Sequence, residues 1–364
     1  MTKKIKNYFA GANTCKGFYS LYDSALEGLE RIFIIKGGPG TGKSTLMRSI
    51  GVELVDRGYD VEFLRCSSDD NSLDGMIVRS LSVGIVDGTA PHVIEPKNPG
   101  IIEEIVNLGE CWNRNQLLKH KDKITEISKL IKEQYAKAYM FFNDAKVVHD
   151  ELEALFISNM DFKKSDKIVY QLINELFESY SPPYVKHMFF AANTPAGLVE
   201  YIDNLTKDVE KRYIIKGKPG TGKSTLIKKV AIAAQERGFD IEIYYCEFDP
   251  ESIDMLIIPK LKVAIIDGTD PHEINATRER DIIIDLELNL DFDSIKGLDK
   301  QITEYEEQYK EIMTKGISNL SKASQLHRDI EKCYIEAMDF EKVNHKKLDI
   351  LKEIIAIEQS VKSS

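Results

Sequence analysis

The chain lacks any apolar run long enough to span a bilayer, any low-complexity tract and any CxxC pair, and it has a single tryptophan, Trp112. Its longest apolar stretches, such as Ile32 to Ile35 and Ala264 to Ile266, are strand-sized, so no membrane segment is expected. The leading Met1-Thr2-Lys3-Lys4-Ile5-Lys6-Asn7 carries charge with no apolar stretch behind it, which argues against a secretory leader. Five cysteines (Cys15, Cys66, Cys111, Cys246, Cys333) are an odd set without metal-site spacing. They predict neither a disulfide framework nor a zinc site, and suit a reducing, cytoplasmic setting. A basic excess is missing too. Residues 1–182 hold 23 basic and 26 acidic side chains and residues 183–364 hold 26 and 33, for a net charge of -10. A broad nucleic-acid footprint is therefore not indicated.

What remains is an ordinary globular composition, 43% hydrophobic and 30% charged, in 364 residues that suggest two or three domains. The chain repeats itself. Shifted by 180 residues, PGTGKSTL at 39–46 returns at 219–226, Asn13-Thr14 meets Asn193-Thr194, and Cys66 and Asp74 meet Cys246 and Asp254. DGTAPH at 87–92 returns as DGTDPH at 267–272. Farther on the offset is 178, aligning Met160-Asp161-Phe162 with Met338-Asp339-Phe340. A fixed repeat of this kind marks a duplicated unit. The join is placed at Ser181-Pro182-Pro183, giving domains at 1–182 and 183–364.

Each repeat predicts α/β architecture: two tandem P-loop NTPase domains, each a mainly parallel sheet flanked by helices, with a long helical segment appended. The expected elements are a strand at about 5–12, a helix at 17–29, a strand at 31–36 and a helix from Ser44 to Arg57, then a strand at 60–66, a short helix near 70–79 and a strand at 83–87. From Glu110 to Ser181 glycine and proline are absent, and Ile124, Ile127, Ile131, Tyr135, Ala138, Phe142 and Ala145 recur at helical spacing. Helical segments are thus expected at about 101–181 and 281–358. Each could be a protruding arm or a packed lid, with Gly316 a possible break in the second.

Gly37-Gly38-Pro39-Gly40-Thr41-Gly42-Lys43-Ser44 and Gly217-Lys218-Pro219-Gly220-Thr221-Gly222-Lys223-Ser224 both fit G-x-x-x-x-G-K-[ST], and Thr45 and Thr225 follow. Glycines let backbone N–H groups converge on phosphate oxygens at a helix N-terminus. Lys43 and Lys223 would supply a point charge to the outer phosphates, and Ser44 and Ser224 a hydroxyl to Mg²⁺. Asp87 and Asp267, each 44 residues beyond its lysine and closing an apolar strand, would hold the same metal. A plain Asp-Gly turn is the alternative. His92 and His272 could sense a γ-phosphate or orient water, or could simply bond a turn. Gly88 and Gly268 stand where a water-activating glutamate would be expected, and no arginine finger recurs in both repeats. Asn13 and Asn193 read as caps of a following helix.

The paired loops, the DGTxPH runs and the duplication resemble a little-characterised group of bacterial tandem P-loop ATPase-like proteins, over nearly the whole chain. That resemblance implies ATP and a cytosolic setting, and no N-K-x-D run argues for GTP. The leading expectation is a Mg²⁺-dependent ATPase whose two sites drive movement of domains or helical arms. The alternatives are a nucleotide-kinase-like phosphotransferase and a non-catalytic switch that presents its helices to a protein partner.

Overall fold

A computed structural model describes residues 4–69, 71–90, 93–176, 184–291, 295 and 297–363; the expected join at 181–183 and His92 lie outside them. The first repeat contains β1 (Ile5–Tyr8), β2 (Gly11–Thr14), β3 (Gly17–Ser20), α1 (Tyr22–Leu26), β4 (Arg31–Lys36) and α2 (Lys43–Asp56). It continues with β5 (Val61–Arg65), β6 (Leu73–Val78), β7 (Val83–Asp87), β8 (Glu103–Asn107), α3 (Arg114–Lys119), α4 (Lys121–Ile157) and α5 (Phe162–Leu176). The second repeat matches it with β9 (Val185–Phe189), β10 (Ala191–Thr194), β11 (Gly197–Glu200), α6 (Ile202–Leu205), β12 (Lys211–Lys216) and α7 (Lys223–Glu236). Then come β13 (Ile241–Tyr245), β14 (Ile253–Ile258), β15 (Val263–Asp267), β16 (Asp281–Asp285), α8 (Asp299–Ala337) and α9 (Phe340–Ser363).

Each repeat builds a six-stranded sheet, in the order β1-β5-β6-β7-β4-β8 and its counterpart β9-β13-β14-β15-β12-β16. The sheets are mixed: β6 runs antiparallel to both its neighbours, and so does β14. Here the expected helix near 70–79 is corrected. All six residues of Leu73–Val78 are buried, Asp74 included, and a short run without alternation suits a central strand as well as a helix. The predicted helix at 17–29 is shorter than expected, because β2 and β3 first form an antiparallel hairpin. Gly17 turns it at φ +90°, while Thr14 Oγ1 donates to the Gly17 carbonyl at 2.8 Å. Asn13 therefore caps no helix.

The repeats are related by a two-fold-like arrangement. Phe9 and Phe189 exchange both backbone hydrogen bonds, at 3.0 and 3.1 Å. Asn13 Nδ2 donates to the Asn193 carbonyl at 3.0 Å, and Asn193 Nδ2 returns the contact at 3.4 Å. Lys6 pairs with Glu242 at 2.5 Å and its counterpart Lys186 with Glu62 at 2.8 Å. One buried cluster runs through both repeats, joining Tyr8, Ile34 and Val86 to Met188, Tyr244 and Ile266.

The helical segments cross over. α4 and α8 have 37 and 39 residues, so each is between about 55 and 60 Å long. They pack antiparallel: His120 meets Glu336 at 3.2 Å, Phe142 faces Gly316, and the His149 and Tyr309 rings lie 5.7 Å apart. Gly316 does not break α8; its missing side chain makes room for the Phe142 ring. Beyond the pair, α5 buries Val169 and Leu172 against Leu226, Ile227 and Val230 of the second sheet's helix α7. Reciprocally, α9 buries Val343, Ile350 and Ile354 against Leu46, Met47 and Leu54 of α2. Each repeat thus lends its terminal helix to the other's core. Among the described residues no helix is long and apolar enough to cross a membrane.

Candidate functional site

Strand β4 is buried along Ile32–Ile35, and its chain leaves the sheet into the glycine-rich loop that opens α2. Left-handed backbone at Gly40 (φ +68°) and Gly42 (φ +89°) lets the loop curl back over the helix N-terminus. The second loop repeats this at Gly220 (φ +79°) and Gly222 (φ +88°). Buried Thr41 and Thr221 brace the loops, their hydroxyls donating to the carbonyls of Gly38 and Lys218 at 2.8 Å. Pro39 and Pro219 are half-buried, while Thr45 and Thr225 are exposed on the first helical turns.

The predicted partners converge. Lys43 Nζ donates to the carbonyls of Gly37 (2.9 Å) and Gly38 (2.8 Å) and stands 3.5 Å from Asp87 Oδ2. Lys223 Nζ does the same with Gly217 (2.7 Å) and Lys218 (3.2 Å), 3.6 Å from Asp267 Oδ2. This follows from the pairing of β4 with β7 and of β12 with β15, which brings loop and carboxylate to the same sheet edge. Thr89 and Thr269 fold their hydroxyls and backbone N–H groups onto Asp87 and Asp267. Ser44 Oγ accepts from Leu73 N and Ser224 Oγ from Ile253 N, both at 2.9 Å, which leaves each hydroxyl a second lone pair. Burial raises the Asp267 carboxyl, against the pull of Lys223, and neighbouring Asp254 adds to the rise. Each centre therefore offers loop N–H groups, an ammonium, a hydroxyl and a carboxylate, a set suited to an anion with a hard cation.

His272 is engaged otherwise than as a phosphate sensor. Its side chain is buried, with Nδ1 2.8 Å from Glu200 Oε2 and Nε2 3.4 Å from Glu247 Oε2. Burial opposes its charge, but Glu247, Asp254 and Glu200 overcome it and push the imidazole up to about 12.

Several groups at the two centres escaped the sequence reading. Asp74 and Asp254 are buried one strand away from the Asp87 and Asp267 strands. Lys36 Nζ ties the segment after Asp87 by donating to Gly88 O (2.9 Å) and Ile94 O (2.8 Å), and Lys216 donates to Gly268 O at 2.6 Å. Most consequential are the crossed helices. A methyl group placed on Gly220 would come within 2.6 Å of the Glu153 carbonyl, and one on Gly40 within 2.9 Å of the Glu331 carbonyl. Tyr334 lies against Gly38, Phe340 and Val343 against Gly42, and Phe162 against Gly222. Burial lowers the His149 imidazole pKa against the pull of Glu153 and Asp150, and Lys146 and Lys223 add to the fall. The 178-residue offset held the signal: His149 and Glu153 recur as His327 and Glu331.

A family model described as dynein light intermediate chain (DLIC) matches residues 205–281, a segment holding the second loop and Asp267 but well under half of the chain. No curated protein and no solved structure matches. The resemblance to bacterial tandem P-loop ATPase-like proteins is thereby overturned, since the family that matches is a different one. Short loop strings report loop chemistry rather than lineage. In the segment 205–281 the chain is similar to the dynein light intermediate chain family.

Proposed function

We propose that the chain binds ATP with Mg²⁺ at both glycine-rich loops and hydrolyses it, and that each site is completed by the helix of the opposite repeat. The observation that carries this reading is the same constellation formed twice, lysine to strand-end aspartate at 3.5 and 3.6 Å beneath a left-handed glycine loop. The loops would take the phosphates on their N–H groups, with Lys43 and Lys223 released from the loop carbonyls to the transferring charge. Ser44 with Asp87, and Ser224 with Asp267, would hold Mg²⁺, for which oxygen ligands fit, and the buried Asp267 carboxyl would gain a second counter-charge beside Lys223. When bound, the metal would screen the phosphate charge; orienting the phosphates and excluding water falls to the protein.

No glutamate follows Asp87 or Asp267, so an isolated repeat would turn over slowly. The crossed helices bring the backbone of Glu331 against the first loop and that of Glu153 against the second. Phosphate entering a loop would press on these helices, which links occupancy to the position of α4 and α8. A protein partner reading that position accords with the long exposed faces of the pair, and with the name of the family matched in residues 205–281, a chain of dynein. Five free cysteines suit a cytoplasmic setting.

The test is phosphate release from Mg-ATP by wild type, Lys43→Ala and Lys223→Ala. Release that either substitution reduces at least tenfold supports the reading. Transfer of the phosphoryl group to an added acceptor would replace it with a kinase, and binding without turnover with a switch.

A further inference from the structure

Among the described residues, a buried polar cluster gathers in the second repeat. At the end of β13, Cys246 is followed by Glu247; Asp254 lies on β14, and His272 in the turn after β15. Sγ of Cys246 and carboxylate oxygens of Glu247 and Asp254 all lie within 4.8 Å of one another. His272 Nε2 lies 3.4 Å from Glu247 Oε2 and 3.9 Å from Asp254 Oδ2. Glu247 is only 3% exposed and His272 9%, yet Glu247 Oε2 and His272 Nε2 each lack a hydrogen bond. They face each other at 3.4 Å as an ion pair without hydrogen-bond geometry, so each keeps unused capacity for a ligand.

From this geometry we propose that Cys246, Glu247, Asp254 and His272 form a binding site for a single transition-metal dication of the zinc class, with a ligand set distinct from the Ser224 and Asp267 position for Mg²⁺. Four donors of thiolate, imidazole and carboxylate type are what Zn²⁺ accepts in tetrahedral sites, with bonds of about 2.0–2.3 Å. Such bonds set neighbouring donors about 3.3–3.8 Å apart, so Cys246, Glu247 and Asp254, now within 4.8 Å of one another, would draw together as His272 closes on Glu247 and Asp254. Two outer contacts already have the required form. His272 turns its other nitrogen, Nδ1, to the Glu200 carboxylate at 2.8 Å, the arrangement that orients an imidazole for a metal. The backbone N–H of Asp249 donates to Cys246 Sγ at 3.5 Å, a contact that favours thiolate.

Charge balances as well. Burial raises the Cys246 thiol well above its ordinary range, and the surrounding carboxylates keep His272 protonated. A dication entering would displace the thiol proton and the imidazolium proton, so the buried cluster keeps its net charge. The ligands come from three separate elements, which is why no CxxC spacing announces them. The first repeat serves as an internal control. Ser67 stands where Glu247 stands and Ser20 where Glu200 stands, although Cys66 and Asp74 are retained.

The experiment is titration of the chelator-stripped, nucleotide-free full chain with Co²⁺ as probe, followed by displacement with Zn²⁺. The site predicts one Co²⁺ per chain, a thiolate-to-cobalt charge-transfer band, and bleaching of that band by Zn²⁺. Cys246→Ser should abolish the band and Cys66→Ser should leave it intact. Glu247→Ser, which installs the residue the first repeat tolerates, should weaken binding at least tenfold. It decides the matter if Cys246→Ser fails to fold. Absence of the band in wild type overturns the proposal, as does its survival in Cys246→Ser or unchanged affinity in Glu247→Ser. No nucleotide enters the assay, so its outcome is independent of the ATP reading.

Discussion

The backbone carbonyl of Glu331 lies so close over Gly40 that a methyl group there would stand 2.9 Å from it. These two residues belong to opposite repeats, and Gly220 meets Glu153 in the same way. Gly40 also has φ +68°, where a side chain is strained whatever the space. Gly40→Ala is therefore expected to cost about 1–3 kcal/mol and to loosen α8 from the loop. Chemical denaturation measures the first effect. Protease sensitivity of α8 measures the second, with Gly58→Ala, where no neighbour lies within 4 Å, as the strain-only comparison.

The crossed helices predict effects across repeats. Phe340→Ala lies in the second repeat but removes the ring against Gly42, so it should depress turnover at the loop of the first, assayed in a Lys223→Ala background. Phe162→Ala, which removes the ring against Gly222, should do the same to the second loop in a Lys43→Ala background. If each substitution instead slowed the site of its own repeat, the crossed arrangement would not operate in solution.

The contact of Phe142 with Gly316 sets the register of α4 against α8. Gly316→Ala should destabilise by about 1–3 kcal/mol through overpacking, despite alanine's better helix propensity. Phe142→Leu combined with it should recover part of that loss. A double-mutant cycle on thermal midpoints measures the coupling, and strict additivity would show that the two residues do not touch.

Acid should weaken the join between repeats. Burial alone would raise the Glu62 carboxyl, but Lys186, Arg79 and Lys6 hold it down at about 2. An ordinary glutamate titrates near 4.5, so the stabilisation is fully present above that pH and is lost as pH falls from 4.5 toward 2. The loss is on the order of 3 kcal/mol. Denaturation midpoints across this window should fall for wild type and flatten in Glu62→Gln.

How far the sequence could be read depended on whether the information was local. The two loops and their aspartates were legible because a contiguous string and a strand end define each. The β2–β3 hairpin was missed because the φ of Gly17 is not written in hydrophobic periodicity. β6 was missed because six consecutive buried residues, Asp74 among them, show no alternation to read. Nothing local says which sheet an amphipathic helix will cover, so the exchange of α5 and α9 between repeats was beyond reach. The recurrence of His149 and Glu153 at 327 and 331 was visible, yet only the fold places those residues beside the opposite loops.

The most direct test counts nucleotides bound at equilibrium with Mg²⁺ per chain, in wild type, Lys43→Ala, Lys223→Ala and the double variant. Two per chain in wild type, one in each single variant and none in the double variant is the predicted result. A wild-type chain that binds none, or a double variant that still binds two, would contradict the account.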